Sequence, residues 1–202
     1  MGPDELLAEI KARRTIRKVS EESIGKEIVE RILTAAIWAP SPHNAQPWRF
    51  IIVRDPSKKH ELLVEMGEKW KEDLRSDGMQ EGVIESMVSS SINRFSSCPL
   101  LIIVTVTMED MDRYPDERRR KAEKTMAIQG ASAAVQNMLL MTHALGIGAG
   151  WSCSPLFAPE VTKKALGIRN DWDPIAMIAL GFPLESPEPP RRKGLDQVTT
   201  WI

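Results

Sequence analysis

Cysteine is nearly absent from this 202-residue chain. Cys98 and Cys153 are the whole complement, too few for a disulfide framework and in no metal-ligand spacing. A reduced, cytoplasmic compartment is therefore the expectation. Histidine is almost as scarce. His43, His60 and His143 form no His-Glu-x-x-His or paired spacing, so no metal site is assigned and a zinc hydrolase is not expected. No nucleophile triad can be read either. Net charge is missing too: 27 Lys and Arg against 28 Asp and Glu leave −1. That lacks the basic surplus and aromatic interleaving of a nucleic-acid binder. The most apolar long stretch, 126–145, is broken by Gln129, Gln136, Asn137 and His143, too polar for a membrane span. It reads as a helix enclosed in a protein with no membrane partner. The first ten residues hold three acids and no apolar run, so no signal peptide is expected.

What remains is an ordinary globular composition, 42% hydrophobic and 27% charged, on a length that suits one domain over 1–202. Leu6, Leu7 and Ile10 predict a short helix over 4–12. Ile28, Val29, Ile32, Leu33 and Ala36 predict a second over about 26–38. A strand runs to about Val53. Asp55-Pro56 then offers an N-cap followed by proline at the first helical position, starting a helix that reaches about Leu74. The Ser- and Met-rich stretch 76–97 is weakly periodic and reads as a mobile helix or lid. The unbroken apolar run 99–106 has the pattern of a strand buried on both faces. The charged stretch 109–124 reads as a solvated loop leading into the helix 126–145. A strand starting near Gly148, a short helix over 159–166 and a buried strand over 174–180 follow. The tail is stiffened by Pro183, Pro187, Pro189 and Pro190 and ends in a strand-like 198–202, long enough to reach a partner subunit. The alternation of helices with about four buried strands gives an α/β-type domain.

The organising stretch is Ala39-Pro40-Ser41-Pro42-His43-Asn44-Ala45-Gln46-Pro47-Trp48-Arg49-Phe50. Its three prolines fix φ and push their predecessors toward extended geometry. Ser41, His43, Asn44 and Gln46 then project polar groups from a rigid loop, although an ordinary helix-to-strand connection would read much the same. Of the histidines only His43 is a candidate site residue. His143 reads as a satisfied core histidine, and His60 lies on an exposed helix. Gly146-x-Gly148-x-Gly150 is no dinucleotide fingerprint, because it runs from helix to strand. Gly146 turns the chain, while Gly148 and Gly150 lie where a strand may approach a flat ligand closely. Two basic clusters, Arg13/Arg14/Arg17 and Arg191/Arg192/Lys193, close the inventory. Each alone reads as a solvated face. Together with the polar loop they suggest a phosphate-bearing ligand, since guanidinium forks match phosphate oxygens.

These segments resemble the signatures of the FMN-dependent nitroreductase family. Arg13-Arg14-Thr15-Ile16-Arg17 is similar to its N-terminal Arg-Arg-Ser-x-Arg, with Thr15 retaining the hydroxyl. Residues 39–48 are similar to Ala-Pro-Ser-x-x-Asn-x-Gln-Pro-Trp, residues 145–151 to the Leu-Gly-Leu-Gly segment, and Gly181-Phe182-Pro183 with the basic tail to the last signature. A closer likeness is to the C-terminal FMN-binding domain of deazaflavin coenzyme gamma-glutamyl ligases. It rests on Ala-Pro-Ser-Pro-His, the Trp70-Lys71-Glu72-Asp73-Leu74 helix, Tyr114-Pro115-Asp116, Ala122 to Met126, and Asp171-Trp172-Asp173-Pro174. The ligase domain itself is absent.

The resemblance implies an α+β fold with a mixed four- to five-stranded sheet flanked by helices, and a homodimer with FMN at its interface. By that likeness Arg13, Arg14 and Thr15 would meet the ribityl phosphate and Arg17 the pyrimidine edge of the ring. Pro40, Ser41, Pro42, Asn44 and Gln46 would come from the other subunit. The backbone near Gly150, Trp151 and Ser152 would face the central ring edge, with Arg192 and Lys193 at the phosphate and Arg94 a further cation near the ring. The implied chemistry is ping-pong hydride transfer through flavin N5. The donor would be NAD(P)H or a reduced deazaflavin, and the acceptor a nitroaromatic, a quinone or an unsaturated coenzyme precursor. His43 is the one acid-base candidate. A flavin-binding protein without turnover and an enzyme that cleaves its own FMN are the alternatives.

Overall fold

The computed structural model describes residues 2–202. Its centre is a pair of strands buried on both faces. β2 (Leu100–Thr107) is buried at every position, and β4 (Trp172–Gly181) at all but its first two. β1 (Trp48–Val53) and β3 (Gly148–Ser152) flank them in the order β1-β2-β4-β3. Every pairing is antiparallel. The sheet thus has four strands, with no parallel pairing among the described residues to make it mixed.

Period-two alternation sorts the apolar side chains between two layers. Leu100, Ile102, Val104 and Val106 of β2 and Ala176, Ile178 and Leu180 of β4 face one core. Leu101, Ile103, Met177 and Ala179 face the other. The first core is covered by α2 (Lys26–Ile37) and α5 (Glu117–Ala144), the second by α3 (Pro56–Ser76) and α6 (Pro159–Leu166). An apolar run without alternation in sequence is what such a doubly covered strand requires. Pro174 lies inside β4 although it has no N–H to give. The register with β2 shifts there, from Val104 opposite Ala176 to Thr105 opposite Pro174, leaving Ile175 unpaired, and proline is tolerated at such a bulge.

Asp55 caps α3, its side chain accepting the Lys58 N–H at 2.9 Å, and Asp116 caps α5 by the Arg119 N–H at the same distance. The stretch read as a mobile helix or lid contains α4 (Glu81–Ser96), a regular helix in a hairpin with α3. Leu74, Ile84 and Val88 pack between the two helices, and at Gly67 they approach so closely that a Cβ would stand 2.9 Å from Val88 Cγ1. The buried Lys59 of α3 donates from Nζ to the carbonyls of Ser96 and Cys98 at the end of α4. α1 (Pro3–Ala12) buries none of its residues and touches the end of α5, where Glu9 Oε2 is 3.4 Å from His143 Nε2. His143 is therefore a half-buried partner of α1 and not a core histidine.

The tail differs from the sequence reading. Residues 198–202 form no strand. One turn of 3-10 helix, Leu195–Gln197, interrupts an irregular, exposed chain that leaves Trp201 93% exposed. β-prone residues need a partner edge to become a strand, and within this subunit the tail pairs with none.

Asp173, at the start of β4, ties α5 to α6. Its carboxylate accepts from Lys124 Nζ at 2.9 Å and from the buried Lys163 Nζ at 3.0 Å. Burial pushes the carboxyl up, but the two lysines more than offset this and hold it below the usual aspartate value of 3.8. A depressed native value means stability present above about pH 4 and lost as the pH falls through the native value. Asp173→Asn is expected to cost about 1 kcal/mol at pH 7, the range of a charged hydrogen bond discounted for partial exposure. Urea melts of both proteins should converge as the pH drops toward 3. A gap that persists there would assign the loss to packing.

Candidate active site

Residues 13–20 form no helix or regular strand, yet they are stitched along the edge formed by β3 and the end of β4. The Ile16 N–H donates to the Ala149 carbonyl at 3.0 Å, the Ser20 N–H to Phe182 at 2.9 Å, and the Leu184 N–H back to Lys18 at 2.9 Å, with Val19 and Pro183 bridged. The Glu185 carboxylate accepts from the backbone N–H of Arg17 at 2.6 Å and of Lys18 at 3.1 Å. These two bonds hold its carboxyl below the usual range.

The glycines of β3 are explained by this seam. A Cβ on Gly148 would stand 2.8 Å from Ile16 Cγ2, and one on Gly150 would stand 3.2 Å from the Ile16 carbonyl oxygen. Within the chain, the close approach expected here is made by Ile16.

The seam aims Thr15 and Arg17 into a cleft of 170 Å³. Opposite them stand Gly150, Trp151 and Ser152 of β3 and Arg94 at the end of α4, with the Arg94 guanidinium 4.5 Å above the Phe95 ring. Arg94 and Ser152 also border a larger, mostly apolar cavity of 520 Å³ between α3, α4 and the 153–158 turn, walled by Met66, Trp70 and Phe157. Of these walls the sequence reading singled out Arg94 and Ser152 for the site, the aromatic and methionine positions being indistinguishable from core residues at helical spacing.

Arg13 and Arg14 line an adjoining 270 Å³ cavity beside Thr142 and His143. Arg13 is held below the usual arginine value, first by burial and then by the positive charges of Arg192 and Arg14. Arg192, from the far end of the chain, lies near enough for its charge to act on Arg13, and both it and the neighbouring Lys193 are exposed. Arg14 Nη1 donates to the carbonyls of Lys11 and Arg13, at 2.6 and 2.9 Å, but its buried Nε has no partner among the described residues. Glu185 borders the same cavity, but its carboxylate is taken up by the Arg17 and Lys18 N–H groups, so the guanidinium groups of Arg13 and Arg14 suit an anion.

The polar loop lies elsewhere. Ser41 and Pro42 pack on Gly130 of α5, where a Cβ would meet Pro42 Cδ at 3.3 Å. The 3-10 turn Pro42–Asn44 is closed by the Ala45 N–H to Pro42, and Ser41 Oγ accepts the Gln46 N–H at 3.0 Å. His43, Asn44 and Gln46 all have positive φ, of 54°, 54° and 47°. For residues with a Cβ this costs on the order of 1 kcal/mol each, so the loop is held in shape by its surroundings. Gly130 and Thr142 are about 18 Å apart along α5 at 1.5 Å per residue. One subunit therefore keeps Pro40, Ser41, Pro42, Asn44 and Gln46 apart from the arginine-bearing cleft.

Fold and cleft together define an α+β protein with a cation-rich site on the edge of an antiparallel sheet. The model of the nitroreductase family matches residues 10–182. A protein of Archaeoglobus fulgidus named for NADH dehydrogenase and NAD(P)H nitroreductase is 32% identical, the match covering 89% of this chain and 86% of the relative. An NADH dehydrogenase of Thermus thermophilus is 28% identical over 94% of this chain and 92% of its own. Among solved structures, a nitroreductase of Desulfovibrio desulfuricans in complex with FMN is 27% identical and superimposes with a TM-score of 0.75 over 100% of this chain and 98% of that one. A BluB-like flavoprotein of Clostridium difficile shares the fold, with a TM-score of 0.81 at 23% identity over 98% of both chains. The chain belongs to the nitroreductase family and is an oxidoreductase.

The seam can be tested by itself. Gly148→Ala is expected to cost about 1–3 kcal/mol, the range for overpacking a close contact, and to speed hydrogen exchange at the Ile16 amide. Adding Ile16→Ala should return part of the loss. A single variant as stable as the parent would mean that segment 13–20 is free to move off the sheet.

Proposed function

We propose that this protein is an FMN-dependent oxidoreductase with ping-pong kinetics, taking reducing equivalents from NAD(P)H or a reduced deazaflavin and passing them to a small organic acceptor. The observation that carries the reading is the group Arg13, Arg14 and Arg192. Burial first, and then the charges of Arg192 and Arg14, lower Arg13, and Arg14 Nε is buried without a partner among the described residues. A single terminal phosphate would relieve both, which fits FMN better than a dinucleotide. FMN in the neighbouring cleft would supply the two-electron redox chemistry that the side chains cannot.

The chain's own groups do the rest. Thr15 offers a hydroxyl beside the phosphate group's arginines. Arg17 holds a positive charge at the cleft where reduction adds negative charge, an electrostatic contribution fixed in advance by the seam. Gly150, Trp151 and Ser152 present strand backbone to the ring. The apolar cavity walled by Trp70 and Phe157 keeps water from the acceptor's side. His43 stands on the polar loop beside Asp112 and Glu123 and is given no proton-transfer role. A donor of the nicotinamide type is supported by the names of the relatives. A deazaflavin is supported by the likeness to the ligase domain. No helix among the described residues is long and apolar enough to cross a membrane, in keeping with a proposed cytoplasmic setting.

The loop that stands about 18 Å away along α5 enters this reading through a second subunit. Trp38 at 81% exposure, Phe157 at 76%, the apolar face of α1 and the tail from Glu188 to Ile202 lie open. So much scattered apolar surface on one domain suits an extensive interface. In a homodimer the partner's loop would complete each cleft, and the tail would find there the edge it lacks.

Extraction of the yellow protein should release FMN, and FAD or no flavin after reconstitution would overturn the reading. Light scattering should find a dimer, whereas a monomer that retains FMN would argue against the shared site. Arg13→Ala should weaken FMN binding roughly 10- to 100-fold, the range of a charged hydrogen bond, with little change in midpoint potential. Arg17→Ala should do the reverse, lowering the potential by about 30 mV, which for two electrons is about 1.4 kcal/mol. Equal effects of the two variants on both quantities would refute these roles.

A further inference from the structure

His43, Asp112 and Glu123 come from three separate segments, the polar loop, the 108–116 connection and the first third of α5. One ligand-type atom of each lies within 4.8 Å of the other two. His43 Nε2 is 3.5 Å from Glu123 Oε1 and 3.8 Å from Asp112 Oδ2. Glu123 is only 3% exposed, and its Oε2 is buried with no hydrogen-bond partner. No lysine or arginine among the described residues pairs with either carboxylate. Asp112 has only the Tyr114 hydroxyl, donating at 3.4 Å, besides the histidine. A buried carboxylate facing a second acid and one imidazole is costly unless a cation offsets it.

We infer that His43, Asp112 and Glu123 form a binding site for a divalent first-row transition cation, with an open coordination position toward solvent. This reading is independent of the flavin. The donor set, one imidazole and two carboxylates, suits zinc and its neighbours better than calcium or magnesium, which favour all-oxygen shells. The separations suit it as well. Ligand atoms about 2.0–2.2 Å from a tetrahedral zinc stand about 3.3–3.6 Å from one another, close to the 3.5 and 3.8 Å found here. His43 and Asp112 are exposed and Glu123 is not, so the cation would be anchored from the helix side and left open on the other.

The three segments are also held in place by packing. Ala45 is two residues past His43, Met111 immediately precedes Asp112, and Ala127 is one helical turn past Glu123. These three residues form a buried cluster of their own, with Met108 and Met126 against it. The ligands are therefore preorganised by an apolar anchor directly beneath them, the support that a metal site needs. His43 itself has a left-handed backbone, with φ of 54°.

The test is titration of the chelator-treated, flavin-loaded protein with ZnCl2, read by calorimetry and thermal shift, and with CoCl2, read by the visible bands of tetrahedral cobalt at wavelengths longer than flavin absorption. One equivalent should bind and raise Tm. Asp112→Asn and His43→Ala should each weaken binding at least about tenfold, as ligand loss exceeds the loss of an outer-shell partner, and Glu123→Gln should abolish it. Asp112→Asn lies on the surface and guards against misfolding as the cause. Flavin content is read in parallel, so that a failure of cofactor binding is distinguishable from a failure of the metal site. No saturable binding, binding unchanged in all three variants, or a Tm that responds to pH but not to metal would each overturn the assignment.

Discussion

The contact on which the cleft depends is the one between Ile16 and Gly148. Segment 13–20 has no regular structure of its own, and its side chains Arg13, Arg14 and Arg17 are charged groups that would prefer water. It stays on the sheet because Ile16 fits where β3 has no Cβ, because the Ile16 N–H reaches Ala149, and because Glu185 takes the next two N–H groups. Apolar contact supplies the anchoring, and backbone hydrogen bonds fix the register. The charges are then carried to their places without having to be attractive to one another. Burial and the nearby charges of Arg192 and Arg14 both lower Arg13, so an anion placed there would be favoured.

Helix α5 sets the second constraint. At 28 residues it is about 42 Å long, and its two ends serve different things. The C-terminal end borders the arginine cavity through Thr142 and His143. The middle, at Gly130, takes the polar loop, and the N-terminal third carries Glu123. A stiff rod of this kind keeps loop and cleft apart inside a subunit as firmly as it would hold them in register between two.

Much of the fold was legible because its signals are local and periodic. The β2 run, the Asp55-Pro56 start and the 159–166 helix all carry their cause within a few residues. Three readings were not settled by local signals, each for a physical reason. The 76–97 stretch looked loose because serine and methionine blur the apolar stripe, yet Gly67 and the buried Lys59, both on another helix, determine how it packs. The tail looked like a strand because Val198 and Trp201 favour sheets, but propensity without a partner edge makes no strand. His143 looked like a core residue because its helix is mostly apolar, and only the fold brings Glu9 to it. In the site, the signatures located Thr15, Arg17 and Gly150 to Ser152. Trp70 and Phe157 carry no mark in the sequence that separates a cavity wall from a core position.

The His43, Asp112 and Glu123 cluster shows the same limit from the other side. Spacing rules for metals work when ligands share a helix or a hairpin, and here the separations of 69 and 11 residues match no such element. What joins them is the Ala45, Met111 and Ala127 cluster, itself composed of residues that sequence reading passes over as filler. Glu123 is the informative member. On a helix whose first turns are densely charged, one more glutamate is unremarkable until it is seen to be buried. Its burial then constrains its neighbours. A cation offsets it directly. A cation satisfies Glu123, orients His43 and fastens the polar loop to α5 through one set of bonds. That would make the loop's geometry, and with it the far half of a shared cleft, depend on an ion bound outside the cleft itself.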